Sequence, residues 1–133
     1  MVRIRKKGVA IVNSSKGILV VAGRNRKFSL PGGGTNKGES RKKATIRELR
    51  EETGLKTKRI KYFSSYKGNS WKTKNGKKVK NHAKVFIVNA YGRSRPRHEI
   101  KYISYWTPKS RINISKRSLS LIKKYLKTKN GRL

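Results

Sequence analysis

Glu48, Glu51 and Glu52 stand at i, i+3 and i+4 in a run free of Gly and Pro. On a helix that spacing projects three carboxylates from one face, about a turn deep. Like charges placed this way repel one another, and a divalent cation relieves the repulsion directly. Carboxylate oxygens are hard ligands suited to Mg²⁺ or Mn²⁺, and Mg²⁺ keeps positions open for water and substrate phosphates. Just upstream, Pro31-Gly32-Gly33-Gly34 lets backbone come close to a metal or a phosphate, because glycine has no Cβ to obstruct it. The competing reading is an ordinary solvated Glu-rich helix compensated by Arg47 and Arg50.

The inventory of residues favours chemistry. The chain holds 38 Lys and Arg against 5 acidic residues, a formal net charge of +33, and contains neither Asp nor Gln. Its acids are Glu39, Glu48, Glu51, Glu52 and Glu99, four of them within fourteen residues. Isolated exposed charges are replaceable at little cost, so a cluster retained in so basic a chain points to a site. Absence of Cys excludes disulfides, thiolate metal centres and Cys nucleophiles. A length of 133 residues fits a single domain, residues 1–133. Leu, Ile, Val and Phe make up 30 of these, just above the ~20% below which highly charged chains tend to disorder. No run approaches the roughly 18 apolar residues of a membrane span. The basic start MVRIRKK precedes only GVAIV, too short for a signal-peptide core. The expectation is a soluble, unexported, cytoplasmic protein with no membrane span.

Around the cluster, Gly8–Val12 and Ile18–Ala22 read as the strands of a hairpin, and Ser40–Thr53 as a helix capped by Glu39-Ser40 and stopped by Gly54. Lys58–Lys67 and Lys78–Tyr91 read as long strands joined through Asn75-Gly76, with Ile60, Tyr62, Ser64 and Tyr66 forming a half-buried face. On the predicted helix, Ile46, Leu49 and Thr53 lie opposite the glutamates. A last strand is expected over Glu99–Trp106, then a helix over Ser115–Lys127 with an apolar stripe at Leu119, Ile122 and Leu126, and a frayed tail from Thr128.

Residues 33–55, GGTNKGESRKKATIRELREETGL, resemble the Nudix box, G-x5-E-x7-R-E-U-x-E-E-x-G-U with U a bulky aliphatic residue. Gly33, Glu39, Arg47, Glu48, Leu49, Glu51, Glu52, Gly54 and Leu55 match its fixed positions. The resemblance is to a MutT-like Nudix hydrolase. It implies an α/β/α sandwich with a curved mixed β-sheet, and Mg²⁺-dependent (or Mn²⁺-dependent) hydrolysis of a nucleoside diphosphate linked to another moiety. Carried over by position, Glu51 and Glu52 are the principal metal ligands, and Glu48 is a ligand or orients the attacking water. The carbonyl of Gly32 is a further ligand, Glu39 fixes the loop or sits near the metals through water, and Arg47 holds a neighbouring Glu in position. Glu99, ahead of Tyr105-Trp106, is similar to a family pattern and is expected as a further metal ligand or the general base. Its alternative is a surface pairing with Arg95 or Arg97.

Substrate candidates rest on residue type. Arg24, Arg26 and Lys27 precede the Gly-rich loop and could hold distal phosphates. Phe28, Tyr66 and Trp71 could stack a base or serve packing. Downstream of the box, where the family's ADP-ribose class carries a Pro and its dinucleoside polyphosphate class a Tyr, stand Ser70, Trp71, Lys72 and Thr73. A nucleoside triphosphate is the expectation by elimination.

At +33 the chain is expected to bind nucleic acid nonspecifically through counterion release. Its cations occur in every segment, which argues against a shaped groove. The sparing of all five acids at expected functional positions suggests an engineered, positively supercharged member. The alternatives are a cationic nucleic-acid-binding protein on the same scaffold, or an RNA-cap-type hydrolase. Either a monomer or a dimer is compatible with the family.

Overall fold

The computed structural model describes residues 2–130. Its elements run β1 (Val2–Ile11), β2 (Asn13–Ser14), β3 (Gly17–Ala22), β4 (Gly32–Gly34), α1 (Arg41–Thr53), β5 (Lys56–Lys72), β6 (Lys78–Tyr91), β7 (Tyr102–Trp106) and α2 (Lys116–Asn130). β4, β1, β6 and β5 form one sheet in that order, and β2, β3 and β7 a second. The first sheet is mixed: β1 runs parallel to β6 and antiparallel to β4, while β5 and β6 are antiparallel.

Alternation along the strands builds two cores. Val9, Ile11, Ile18, Val20, Ala83, Val85 and Trp106 pack with Leu121, Ile122 and Tyr125 of α2. Their neighbours Ala10, Val12, Leu19, Phe86 and Val88 pack with Leu49 of α1 and Leu55. Because successive side chains in a strand point to opposite faces, each central strand feeds both cores, and the helices close the two sides of an α/β/α sandwich. The sheet is mixed, as expected, and is not strongly curled. Near-continuous burial of Ile18–Ala22 follows from this double coverage.

Helix α1 forms as its caps predict. Ser40 Oγ accepts from the Lys43 N–H at 3.1 Å, and Gly54, at φ 78°, donates to the Arg50 carbonyl. Several strand expectations are corrected. Val12 and Leu19 meet as the hairpin reading requires, with Leu19 N–H donating to the Val12 carbonyl at 2.9 Å. Beyond them, β1 pairs with β6 and β4 while β3 pairs with β7, so the chain changes sheets at residues 12–13. On β5 the half-buried face does not run unbroken. A register shift between Tyr62 and Ser64 puts Ile60 and Tyr62 opposite Val88 and Phe86, but Ser64 and Tyr66 opposite Val85 and Ala83, on the other side of the sheet. β7 begins only at Tyr102, since residues 97–100 turn with Ile100 N–H donating to the Arg97 carbonyl. α2 continues through Thr128 to Asn130; the rest of the expected tail, 131–133, lies outside the described residues. No helix among the described residues is long and apolar enough to cross a membrane.

The approach of α1 to the sheet is set by Gly8. A β-carbon there would collide with Thr45 Oγ1 and the Arg41 carbonyl. Gly8→Ala is therefore expected to cost roughly 1–3 kcal/mol, read as a lower urea midpoint at unchanged slope.

Candidate active site

Arg47 is the hub of the acidic cluster. Its Nε donates to Glu39 Oε2 at 2.9 Å and its Nη2 to Glu39 Oε1 at 2.9 Å, a forked pair, while Nη2 also donates to the Gly34 carbonyl at 2.9 Å. Its Nη1 donates to Glu48 Oε1 at 2.6 Å and to Glu51 Oε2 at 3.2 Å. One planar guanidinium thus joins α1 to the loop that precedes it, a geometry only arginine offers. These hydrogen bonds, with the Asn36 N–H, hold the Glu39 carboxyl below the usual range. Hydrogen bonding to Glu39 raises Arg47 further above its already high value, so the hub is permanently charged.

Glu52 faces the other way. It is only 6% exposed, and its Oε1 accepts from the Gly32 N–H at 2.9 Å across the gap between α1 and β4. Burial pushes its carboxyl up to about 8, repulsion from Glu48 and Glu99 adds to this, and the Gly32 N–H and Lys7 oppose it. Glu48 is also raised, first by burial, with Arg47 opposing. Gly33 makes the approach possible, because a β-carbon there would meet the Glu48 carboxylate.

Glu99 lies exposed in the turn before β7. Its segment is fastened to the end of α1 by main chain: Arg95 N–H donates to the Thr53 carbonyl at 3.0 Å and Arg97 N–H to the Glu52 carbonyl at 3.1 Å. Carbonyls left unpaired by the helix are satisfied, and Glu99 is held within electrostatic reach of Glu52. The alternative pairing of Glu99 with Arg95 or Arg97 is not formed.

The solvated-helix reading of the cluster is only half met. Glu51 is partly exposed and Arg47 compensates it, as that reading expects, but Arg50 makes no ion pair with the glutamates, and Glu52 is buried beside backbone. No three acidic or His side chains among the described residues converge on one point, because Glu48 and Glu51 turn toward Arg47 while Glu52 turns toward Gly32. In kind, the donor set fits a divalent cation: carboxylate oxygens of Glu48, Glu51 and Glu52 beside the glycine backbone, with a buried Glu52 whose ionised form lacks a full counter-charge.

Residues expected at the substrate are more scattered. Arg24 is exposed, and Arg26, at φ 56°, lays its guanidinium 5.0 Å from the centre of the Tyr102 ring. Phe28 is partly buried against the α2-side core and is bracketed by backbone hydrogen bonds to Asn113 and Ser115, so packing accounts for it. Trp71 is 42% exposed and shares a row with Arg3 and Val79. Tyr66 lies in the row of Lys7 and Ala83, with Arg117 stacked 4.4 Å from its ring centre. No hydrogen bond between described side chains joins Arg24, Arg26, Phe28 or Trp71 to the glutamates. Ile46, expected opposite the glutamates, lines an open cavity of about 500 Å³ with Arg47, Arg50, Glu51 and Arg97.

Sequence reasoning missed Lys7. On β1 it pairs directly with Gly34 of β4, and burial and Arg5 lower its pKa against the pull of Glu52 and Glu48. Arg5 shares its face and donates to Asn81 Oδ1 at 3.3 Å. Inside the basic run Arg3–Lys7 neither residue carried a distinguishing signal; the strand alternation that places them emerges only with the register.

A family model described as NUDIX domain matches residues 3–124. Among solved structures, a protein from Chromobacterium violaceum assigned to the nudix hydrolase family is 30% identical, over 96% of this chain and 79% of that one, with a TM-score of 0.77. A MutT NUDIX hydrolase from Burkholderia pseudomallei is 17% identical over 91% and 97%, with a TM-score of 0.71. The NUDIX domain of Shewanella oneidensis NrtR, solved with ADP ribose, is 16% identical over 96% and 88%, with a TM-score of 0.68. No curated protein matches the chain. None of these findings supports an engineered surface.

The hub predicts its own test. Arg47→Ala is expected to lower stability by about 2–3 kcal/mol by breaking a charge-assisted network, and Arg47→Lys to restore less than half, since an ammonium cannot fork. Thermal denaturation of the three proteins checks this.

Proposed function

Because the chain belongs to the Nudix family of pyrophosphohydrolases, acting on nucleotide-derived substrates, we propose that its own substrate is a nucleoside triphosphate, cleaved to the monophosphate and pyrophosphate. The observation that carries this reading is the buried Glu52 carboxylate on the Gly32 N–H, one helical turn from Glu48 and beside Lys7. Glu48, Glu51 and Glu52, with the Gly32 carbonyl, would hold Mg²⁺ or Mn²⁺, and Glu99 is a further ligand or the general base. A bound divalent cation neutralises phosphate charge, lowers the pKa of water and stabilises the leaving group.

The remaining roles belong to the chain. Arg47 holds Glu48 and Glu51 in a fixed relation and ties the Gly34 carbonyl and Glu39 to the same helix. Glu48 or Glu99 takes the proton from the attacking water. Lys7 and Arg5 offer cations to the triphosphate on the face of β1 directed toward α2. On that face Trp71 presents an exposed ring for the base. The marker Pro of the ADP-ribose class is missing at Ser70–Thr73, which favours the triphosphate.

Hydrolysis of nucleoside triphosphates, ADP-ribose, dinucleoside polyphosphates and capped RNA, with Mg²⁺ and high salt and the nucleotide products separated by chromatography, tests the assignment. Triphosphates are expected to turn over fastest. Glu52→Gln is expected to lower kcat at least about 100-fold, the loss of several kcal/mol of charge stabilisation. Mg²⁺ is expected to raise the Tm of the parent and not of this variant. Faster turnover of ADP-ribose would reject the triphosphate, and equal turnover by Glu52→Gln would reject the site.

A further inference from the structure

Although cations occur along the whole chain, the register gathers some of them into a line. On β6, Lys80, His82 and Lys84 alternate with inward residues and so share the face directed toward α1, at steps of about 6.4–6.8 Å. That step is comparable to the separation of successive phosphates along an extended polynucleotide strand. Each neighbour in the sheet reinforces the line: His82 lies between Lys6 on β1 and Lys67 on β5, a row of three basic side chains. Like charges placed directly opposite one another destabilise a sheet. None of the three strands contains an acidic residue to relieve them.

Two residues of the line border a groove. Lys67, His82 and Lys84 line an open cavity of about 560 Å³ with Arg41, the first residue of α1. The first turn of α1 carries no acidic residue, although the positive end of a helix favours one. Partial burial together with Lys67, Lys80 and Arg41 lowers the His82 pKa, so the groove is short of negative charge. At one end, beyond Lys84, stands Tyr62, 51% exposed, with Lys84 Nζ 5.9 Å from its ring centre and Phe86 supporting it edge-on. A cationic track that ends on an exposed aromatic ring matches the recognition of single strands, whose unpaired bases can stack while their phosphates are neutralised.

We propose that this sheet face binds a single strand of nucleic acid, with successive phosphates along Lys80, His82 and Lys84 and a base against Tyr62. Lys80, His82, Lys84 and Tyr62 take no part in the hydrogen bonds of the carboxylate cluster, and hydrolysis of a mononucleotide does not depend on them.

The test is fluorescence anisotropy of a short labelled oligoadenylate across a salt series, with three proteins beside the parent. The first carries Lys80→Gln, His82→Gln and Lys84→Gln. The second carries Lys109→Gln, Lys123→Gln and Lys127→Gln, more exposed cations elsewhere. The third is Tyr62→Ser. At about 0.7 per lost phosphate contact, the first is expected to flatten the salt slope at neutral pH by about 1.4, the share of its two lysines, and the second by less than half as much. Tyr62→Ser is expected to weaken binding about tenfold with the slope unchanged, as loss of one stacked base requires. Equal losses in both triple variants, or parent-like binding by Tyr62→Ser, would overturn the proposal. So would tighter binding of a duplex, or of phosphatidylserine vesicles, with the same dependence on the three residues.

Discussion

Arg47 is the interaction on which the rest of the site rests. Of the five carboxylates in the chain, three are hydrogen-bonded to this one guanidinium, in a protein that has thirty-seven other Lys and Arg side chains to offer. The difference is geometry. A surface lysine or arginine meets a carboxylate as a solvated and replaceable charge, whereas Arg47 is only one-quarter exposed and its donors diverge to fixed oxygens on two segments. By holding Glu39 and the Gly34 carbonyl together, it ties the end of the glycine strand to α1. That bond keeps the Gly32 N–H opposite Glu52.

The high positive charge and the fold coexist because burial is organised on both sides of the central strands. Ile11, Leu19, Val20, Leu49, Val85 and Ile122 are essentially inaccessible, and the cations lie outside them. Self-repulsion at +33 acts across that outer shell, where water and salt screen it. Lys7 and Arg47 are partly buried where carboxylates approach them.

Local signals and family spacing were legible where they acted over a few residues. Ser40 and Gly54 delimit α1, Asn75-Gly76 makes the β5–β6 turn, and the glutamate spacing puts Glu48, Glu51 and Glu52 on one helix. What stayed hidden depends on pairing between distant segments. The departure of β1 from the expected hairpin follows from its ten-residue parallel match to β6, which no short window contains. The reversal of faces on β5 is caused by one extra residue at Phe63, invisible to an alternation count. Lys7 and the line on β6 are the same case: a basic chain offers no local contrast, and only register decides which cations meet. The two directions taken by the glutamates likewise depend on where β4 docks, not on helical spacing.

The attachment of residues 95–97 to the end of α1 uses peptide groups alone. Side chains in that stretch can therefore drift without moving Glu99, but the number of residues cannot. Removing or adding one would pull the two N–H donors out of step with the Thr53 and Glu52 carbonyls and swing Glu99 away from Glu52. The segment is free in spelling and constrained in length, the opposite of an ordinary surface loop.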